Sequence, residues 1–276
     1  MWFDKYHNCN CREEESESLL ESNLRKYPQP LSLGWRLRHG SSYLASGVLF
    51  IIGSYQYFTF STEDYQLAAI TFILGGFGFL YSDLSEWWLN NRVGCFMYDY
   101  YKEDYEKQVG KSFAKIDTLY GSYQRAENGM NFAFSAFGSL LYFIGGFLFL
   151  PNLNQTVLGT QIFIWGSSVI FLSQSWKLYR WGCNDQSDPL SNKFKFVNLA
   201  YDFPATMVDF FAGIGGALYL IGSVYFLPDY DTSDYYTNLA ATFFLCGGIS
   251  FTLSGVSMQY RYYIANPPLY PNANNS

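Results

Sequence analysis

The chain has 276 residues, of which 49% are hydrophobic, 21% aromatic and only 14% charged. Average globular proteins are about 25% charged, so the composition favours a membrane protein over a soluble domain. The net charge of -6 is opposite to the basic face that nucleic acid requires, and five cysteines without a C-x-x-C motif argue against a disulfide scaffold.

Residues 1–40 form a polar N-terminal segment. The segment is acidic and has no continuous apolar stretch, so it matches neither a secretory signal nor an Arg-rich transit peptide. Apolar side chains at helical spacing within residues 13–27 predict a short amphipathic helix. His7, Cys9 and Cys11 lie close together, but we expect no metal there because a fourth ligand for a structural zinc site is not evident.

Six apolar segments follow, each long enough to cross a bilayer core, which takes about 20 helical residues. Short polar stretches separate the segments within pairs, and long polar stretches separate the pairs. The segments lie at 41–60, 65–89, 129–150, 156–178, 205–227 and 237–260. The sequence therefore predicts an all-α, polytopic membrane protein of three tandem helical hairpins, at 41–89, 129–178 and 205–260.

Two inner loops and a tail connect and end these hairpins. Residues 90–128 form the first loop and residues 179–204 the second. Within the first loop, residues 97–123 carry apolar side chains at every third or fourth position, which predicts a helix lying along an interface. The tail, residues 261–276, contains the prolines of NPPLYP, so we expect it to be extended.

A short motif recurs in all six apolar segments, consisting of a hydrophobic residue, a glycine and a second small residue. The first glycines are Gly53, Gly75, Gly145, Gly166, Gly222 and Gly247. Small residues let membrane helices approach closely, and the two motifs of a hairpin lie at similar distances from the shared turn. We interpret these glycines as helix-packing positions that face each other within each hairpin; a pore lining or substrate gap is the alternative.

The basic residues predict the orientation in the membrane. All 17 Lys and Arg lie outside the three hairpin turns, and the first and third turns carry acidic residues instead. By the positive-inside rule, both termini and both long loops face the cytoplasm or an organelle equivalent such as the mitochondrial matrix. Among organelle membranes we favour the mitochondrial inner membrane.

The second hairpin reads GSLLYFIGGFLFLPNLNQTVLGTQIFIWGSSVIFLSQSWKL, from Gly138 to Leu178. Its glycine motifs, aromatic residues and short polar turn resemble the YrhK-like membrane domain, a two-helix module. The third hairpin is similar, and the first, whose turn lacks a proline, is less so. The resemblance implies membrane hairpins and carries no activity to any residue. The mitochondrial carrier family also repeats a two-helix unit, but its proline-acidic motif is absent from the first and third segments.

Candidate catalytic groups are few. The two histidines, His7 and His39, both precede the first apolar segment, so no catalytic triad or bis-histidine haem site is expected inside the bundle. His39 is interpreted as an interfacial anchor. Asp209, about one turn inside the fifth segment, is the best candidate for an ion or proton site, although a carboxylate near a helix end also serves structural pairing.

The expected function is therefore non-catalytic, without a cofactor. We expect a structural or accessory subunit of a multi-subunit membrane complex, such as an energy-converting, respiratory-type assembly. Its partners are then other membrane subunits and lipids, not nucleic acid. The alternative is a small transporter or channel in which Asp209 binds an ion or proton.

Overall fold

The computed structural model describes residues 33–62, 64–109, 120–183, 193–200, 202–230 and 233–265, without the side chains of 33, 89–109 and 120–128. Six long helices account for most of these residues, and no strand occurs among them. The helices are α1 (Leu33–Tyr55), α2 (Tyr65–Val109), α3 (Tyr120–Leu148), α4 (Thr156–Cys183), α5 (Phe203–Tyr225) and α6 (Asp234–Tyr260). Short helical turns lie at Pro151–Leu153, Phe196–Ala200 and Arg261–Ala265.

Several helix bounds differ from the sequence predictions. Helix α1 begins at Leu33, within the segment expected to be polar and separate. Helix α2 continues without a break to Val109, so residues 97–109 extend α2 rather than starting a separate interfacial helix. Arg261–Ala265 forms a π-helical turn, so the predicted extended tail does not begin at residue 261. The predicted helix at 13–27, the His7–Cys11 group and residues 266–276 lie outside the described residues.

Five of the helices contain stretches long and apolar enough to cross a membrane. These stretches are Tyr65–Trp88, Gly129–Leu148, Thr156–Cys183, Phe203–Tyr225 and Asp234–Ala265. They establish a helical, multi-pass membrane protein. Helix α1 is missing from this group because its N-terminal half contains two arginines, a histidine and two serines.

The helices form a ring, since each packs against the next along the chain and α6 returns to pack against α1. Neighbours α1 and α2 run in opposite directions: a Cβ at Gly53 would lie 2.6 Å from Thr71 Oγ1, and one at Gly78 would lie 3.2 Å from the Ser42 carbonyl oxygen. Contact between α1 and α6 closes the ring, so every helix has two lateral neighbours and one face toward a shared interior.

Aromatic side chains fill that interior. Each of the six helices carries an aromatic residue three positions before its first motif glycine, and none of these residues is more than 2% exposed. They are Phe50, Phe72, Tyr142, Phe163, Tyr219 and Phe244. Phe50, Tyr142 and Tyr219, at equivalent positions of α1, α3 and α5, form a triangle with ring centroids 5.2–5.9 Å apart. We call this group of six rings the aromatic plug.

The six motif glycines provide the close approach that the plug requires. A Cβ at any of them would lie 2.5–3.1 Å from a side chain of the helix paired with it in sequence. At Gly145, for example, it would lie 2.5 Å from the Phe163 ring. The second small residues behave differently: a Cβ at Gly76 would meet the α3 backbone at Phe143, 2.8 Å away. The second glycines on α2, α3 and α6 therefore pack against the other neighbouring helix: a Cβ at Gly146 would lie 2.9 Å from the Ile73 nitrogen of α2, and one at Gly248 would lie 2.9 Å from the Ile51 nitrogen of α1.

Candidate functional site

Ionisable side chains gather inside the bundle, at the end opposite the short turns. They surround a cavity of about 20 Å³, to which α1, α2, α4, α5 and α6 all contribute. Its polar lining includes His39, Asp83, Glu86, Gln174, Lys177 and Asp209. We call this group the charged cluster. A cavity of this size has room for about one water molecule.

The internal repeat explains how the central ion pair forms. Glu86 and Lys177 occupy equivalent positions of α2 and α4, each eleven residues after the first motif glycine of its helix, Gly75 and Gly166. Equivalent positions converge on the middle of the ring, and Lys177 Nζ lies 3.8 Å from Glu86 Oε2. The third equivalent position is Met258 of α6, which lines the same cavity. An approximately threefold scaffold thus carries an acidic, a basic and an apolar side chain at one level.

Asp209 is the residue that the sequence singled out, and it is 8% exposed. Trp181 Nε1 donates a hydrogen bond of 2.9 Å to Asp209 Oδ2, and Lys177 Nζ lies 3.9 Å from Asp209 Oδ1. Lys177 Nζ also lies 5.1 Å from the centroid of the Phe132 ring. Lys177 therefore bridges two carboxylates, which keeps both charges partly compensated away from water.

His39 was predicted to be an interfacial anchor, and this prediction was wrong, because its side chain is only 1% exposed. Its ring stacks on Trp35 with centroids 4.5 Å apart. Its Nδ1 lies 2.9 Å from the Tyr262 hydroxyl and its Nε2 lies 3.4 Å from Glu86 Oε1. Closure of the ring between α1 and α6 buries this histidine, since Tyr262 lies in the helical turn that follows α6.

A hydroxyl and amide network continues the cluster toward α3. The Ser139 hydroxyl donates a hydrogen bond to the carboxylate of Asp83. Asn131 Nδ2 donates to the Ser173 carbonyl oxygen over 2.9 Å, and Ser135 and Ser173 hydroxyls lie 2.7 Å apart. Buried polar groups must be paired to avoid a desolvation cost, and these bonds hold α2, α3 and α4 in register.

The cluster carries more acidic than basic groups in its lining. Asp83, Glu86 and Asp209 face one lysine, with His39 adding a second positive charge when it is protonated. Gln174 Oε1 has no hydrogen-bond partner among the described residues and borders the same cavity. Such a lining suits a proton, a water molecule or a small cation. Within the described ranges, no three His, Cys, Asp or Glu side chains are arranged to hold a metal ion.

Sequence reasoning identified Asp209 but missed Lys177 and Gln174 as its neighbours. The signal was present in the repeat: aligned on the first glycines, Asp83 and Gln174 are equivalent, as are Glu86 and Lys177. Alignment extended beyond the glycine motif reveals that these four residues lie on matching helix faces. Trp181, near the end of α4, is a further neighbour that donates to Asp209.

Comparison with known proteins supports the family resemblance over one part of the chain. No curated protein and no solved structure matches the sequence. Residues 198–257 match the family model described as YrhK-like protein. This segment contains α5, the following turn and most of α6, and it includes Asp209. The YrhK-like resemblance is therefore confirmed for residues 198–257, which make up less than a quarter of the chain.

Proposed function

We propose that this chain is a non-catalytic accessory subunit of a multi-subunit membrane complex, built from three membrane-crossing hairpins. The observation that carries this proposal is the aromatic plug, whose six rings occupy the middle of the helix ring with less than 3% exposure each. A filled interior supports a packing role and is unlike the cavity of a substrate-binding protein.

Helix α1 serves as the sixth span in this proposal, although its hydropathy is low. Three of its four serines bond their hydroxyls within the bundle: Ser42 Oγ donates to the Gly78 carbonyl oxygen over 2.9 Å, Ser46 Oγ to the Ser42 carbonyl oxygen over 2.8 Å, and Ser54 Oγ lies 2.8 Å from the Tyr219 hydroxyl. Ser46 and Ser54 are at most 1% exposed. Polar side chains paired within the protein do not oppose insertion in the way that lipid-facing ones do.

The outer surface supports a membrane and subunit environment. Large apolar side chains are exposed along the middle of the helices, including Leu74, Phe77, Phe134, Trp165 and Leu172. Lipid tails or apolar faces of partner helices are suited to cover such a surface. A respiratory-type assembly in the mitochondrial inner membrane, with the termini on the matrix side, remains our favoured host.

Extraction in a mild detergent tests the subunit role. The tagged chain is solubilised from its native membrane in digitonin and separated by native electrophoresis, and excised bands are identified by mass spectrometry. We expect one band well above the 31.7 kDa chain mass, with the same membrane proteins recovered in constant ratio. Migration as a monomer without co-purifying proteins contradicts the proposal.

The charged cluster favours a second candidate, a proton or cation transporter that uses Asp209. Buried carboxylates within a membrane are costly and often mark ion pathways, and Asp209 shares Lys177 with Glu86. Flux into proteoliposomes discriminates the two functions. Loss of flux in Asp209→Asn, with normal flux in the control Asp229→Asn on an exposed turn, supports transport; absence of flux in the unmodified protein rules against it.

A further inference from the structure

One carboxylate of the charged cluster has no cationic side chain paired with it. Lys177 Nζ serves the other two, since it lies 3.8 Å from Glu86 Oε2 and 3.9 Å from Asp209 Oδ1. Among the described residues, the buried Asp83 takes part in no ion pair, and its carboxylate accepts a hydrogen bond from the Ser139 hydroxyl. An uncompensated carboxylate is costly inside a membrane protein. The surroundings of Asp83 therefore favour a further positive charge.

A second polar group at the same cavity also lacks a partner. The Gln174 side chain is 6% exposed, and its Oε1 has no hydrogen-bond partner among the described residues. Its Nε2 donates to Ser135 Oγ over 3.4 Å. Because Ser135 lies outside the cavity lining, Oε1 is the end of the amide that is left to face the cavity. Buried acceptors are normally satisfied, so Gln174 Oε1 indicates that the cavity takes up a hydrogen-bond donor or a cation.

The cavity that Asp83 and Gln174 share has room for a small ion without its hydration shell. Its volume of about 20 Å³ corresponds to about one water molecule. Val208, Ala212 and Met258 form an apolar part of its lining. Mg²⁺ usually keeps several waters, and Ca²⁺ takes about six to eight oxygen ligands, so neither ion suits this space. A monovalent cation that exchanges its water for carboxylate and amide oxygens suits both the volume and the charge.

We propose that this cavity binds one alkali-metal cation, with the Asp83 carboxylate and Gln174 Oε1 as its ligands. A water molecule alone would give Gln174 a donor but leave the charge of Asp83 uncompensated. A proton on Asp83 would compensate the charge but requires no space of this size. The proposal names an ion and a site for the transporter candidate, and it rests on that function only for what the ion does there, because binding at equilibrium requires no flux.

Radioactive Na⁺ measures this binding directly. The full chain is purified in dodecyl maltoside with choline chloride as the only salt, immobilised on scintillation beads and titrated with radioactive Na⁺. We expect saturation at about one Na⁺ per chain, with displacement by unlabelled NaCl or KCl and none by added choline chloride. At constant ionic strength, NaCl or KCl should also raise the thermal unfolding midpoint, because a ligand that binds only the folded state stabilises it.

Two substitutions test the ligands. Asp83→Asn keeps the size of the side chain and removes its charge, and Gln174→Met removes the amide oxygen from a side chain of similar length. Each should weaken Na⁺ binding about tenfold or more, as expected for a lost interaction with a charged group. The controls Asp229→Asn and Gln155→Met, at exposed positions of two turns, should bind like the unmodified chain. Circular dichroism shows whether each variant is folded before its binding is compared.

Absence of saturable binding to the unmodified chain would overturn the proposal, as would unchanged binding in both ligand variants. An unfolding midpoint that moves with pH but with neither NaCl nor KCl would also overturn it, in favour of a proton on Asp83 and a water molecule in the cavity. Na⁺ binding without flux into proteoliposomes would support the site and reject the transporter. Proton flux without alkali-cation binding would do the reverse.

Discussion

Replacing Phe50 by alanine tests whether the aromatic plug stabilises the bundle. Phe50 is fully buried, and its ring contacts six others with centroids 5.1–6.4 Å away. In a membrane the unfolded reference state also shields apolar groups from water, so lost ring contacts dominate the effect. At about 0.5 kcal/mol for each ring, the lower end for aromatic pairs, the expected loss in unfolding free energy is about 3 kcal/mol.

The matched control is Phe77→Ala on α2, because Phe77 is 55% exposed and lies on the outer surface. Both variants remove the same atoms, so their difference isolates the interior contacts. Reversible unfolding in mixed dodecyl maltoside and SDS micelles, followed by circular dichroism, gives the two free energies. If Phe77→Ala costs as much as Phe50→Ala, or if both cost less than about 1 kcal/mol, the plug does not hold the helices together.

Three further variants examine helix packing, the charged cluster and a helix cap by the same unfolding assay. Gly76→Ala places a Cβ 2.8 Å from the Phe143 backbone and should lower the unfolding free energy by about 1–3 kcal/mol through overpacking. The control Gly34→Ala has open space around it and should be neutral or slightly stabilising. Equal effects of the two substitutions would contradict close packing at Gly76. Lys177→Met leaves Glu86 and Asp209 without their shared cation. It should lower the unfolding free energy by an amount near the lower end of about 3–5 kcal/mol, since both lysine–carboxylate distances approach 4 Å. An unchanged stability would mean that these ion pairs are not formed. Asp202→Ala should cost about 1 kcal/mol by removing the cap bond to the Ala205 N–H, and Asp202→Asn, which retains the cap, should restore most of it; failure of that rescue points instead to the lost ion pair with Arg261.

Much of the helical organisation follows from the sequence, because an apolar run of about 20 residues has few structural alternatives. The first motif glycines, such as Gly145 beside Phe163, lie against their sequence-paired helix as the spacing predicts. The aromatic plug was overlooked although its signal is local. The motif was defined by the residues next to each glycine. The aromatic residue lies three positions before the glycine, about one turn away on the same helix face, so it falls outside that motif.

The charged cluster depends on contacts that no local pattern encodes. His39 reaches Tyr262 across 223 positions of the sequence, and this pairing requires the first and last helices to meet. No helix contributes more than two members of the charged cluster, so none shows a continuous polar face. Lys177 in particular lies near a helix end, where a basic residue is typical of the membrane interface, and only the ring geometry turns it toward Glu86 and Asp209.

The long α2 helix illustrates a different limit. The apolar side chains at 97–109 have helical periodicity, and the structure places these residues in a helix. Periodicity alone does not show whether one helix ends before another begins. A proline or a glycine cap would mark such an end, but between residues 89 and 97 the sequence has no proline and only one glycine, Gly94. A helix tolerates a single glycine at a cost of about 1 kcal/mol, so α2 continues.

Both functional candidates require the six helices to cross the bilayer with all three turns on one side. Single cysteines introduced into a cysteine-free background measure this directly. Thr62→Cys, Gln155→Cys and Asp229→Cys report the three turns, and Lys193→Cys reports the opposite end. In sealed, oriented vesicles, a membrane-impermeant maleimide should label the three turn positions from one side and Lys193→Cys only from the other. Labelling of any turn from the same side as Lys193→Cys would contradict the six-span arrangement.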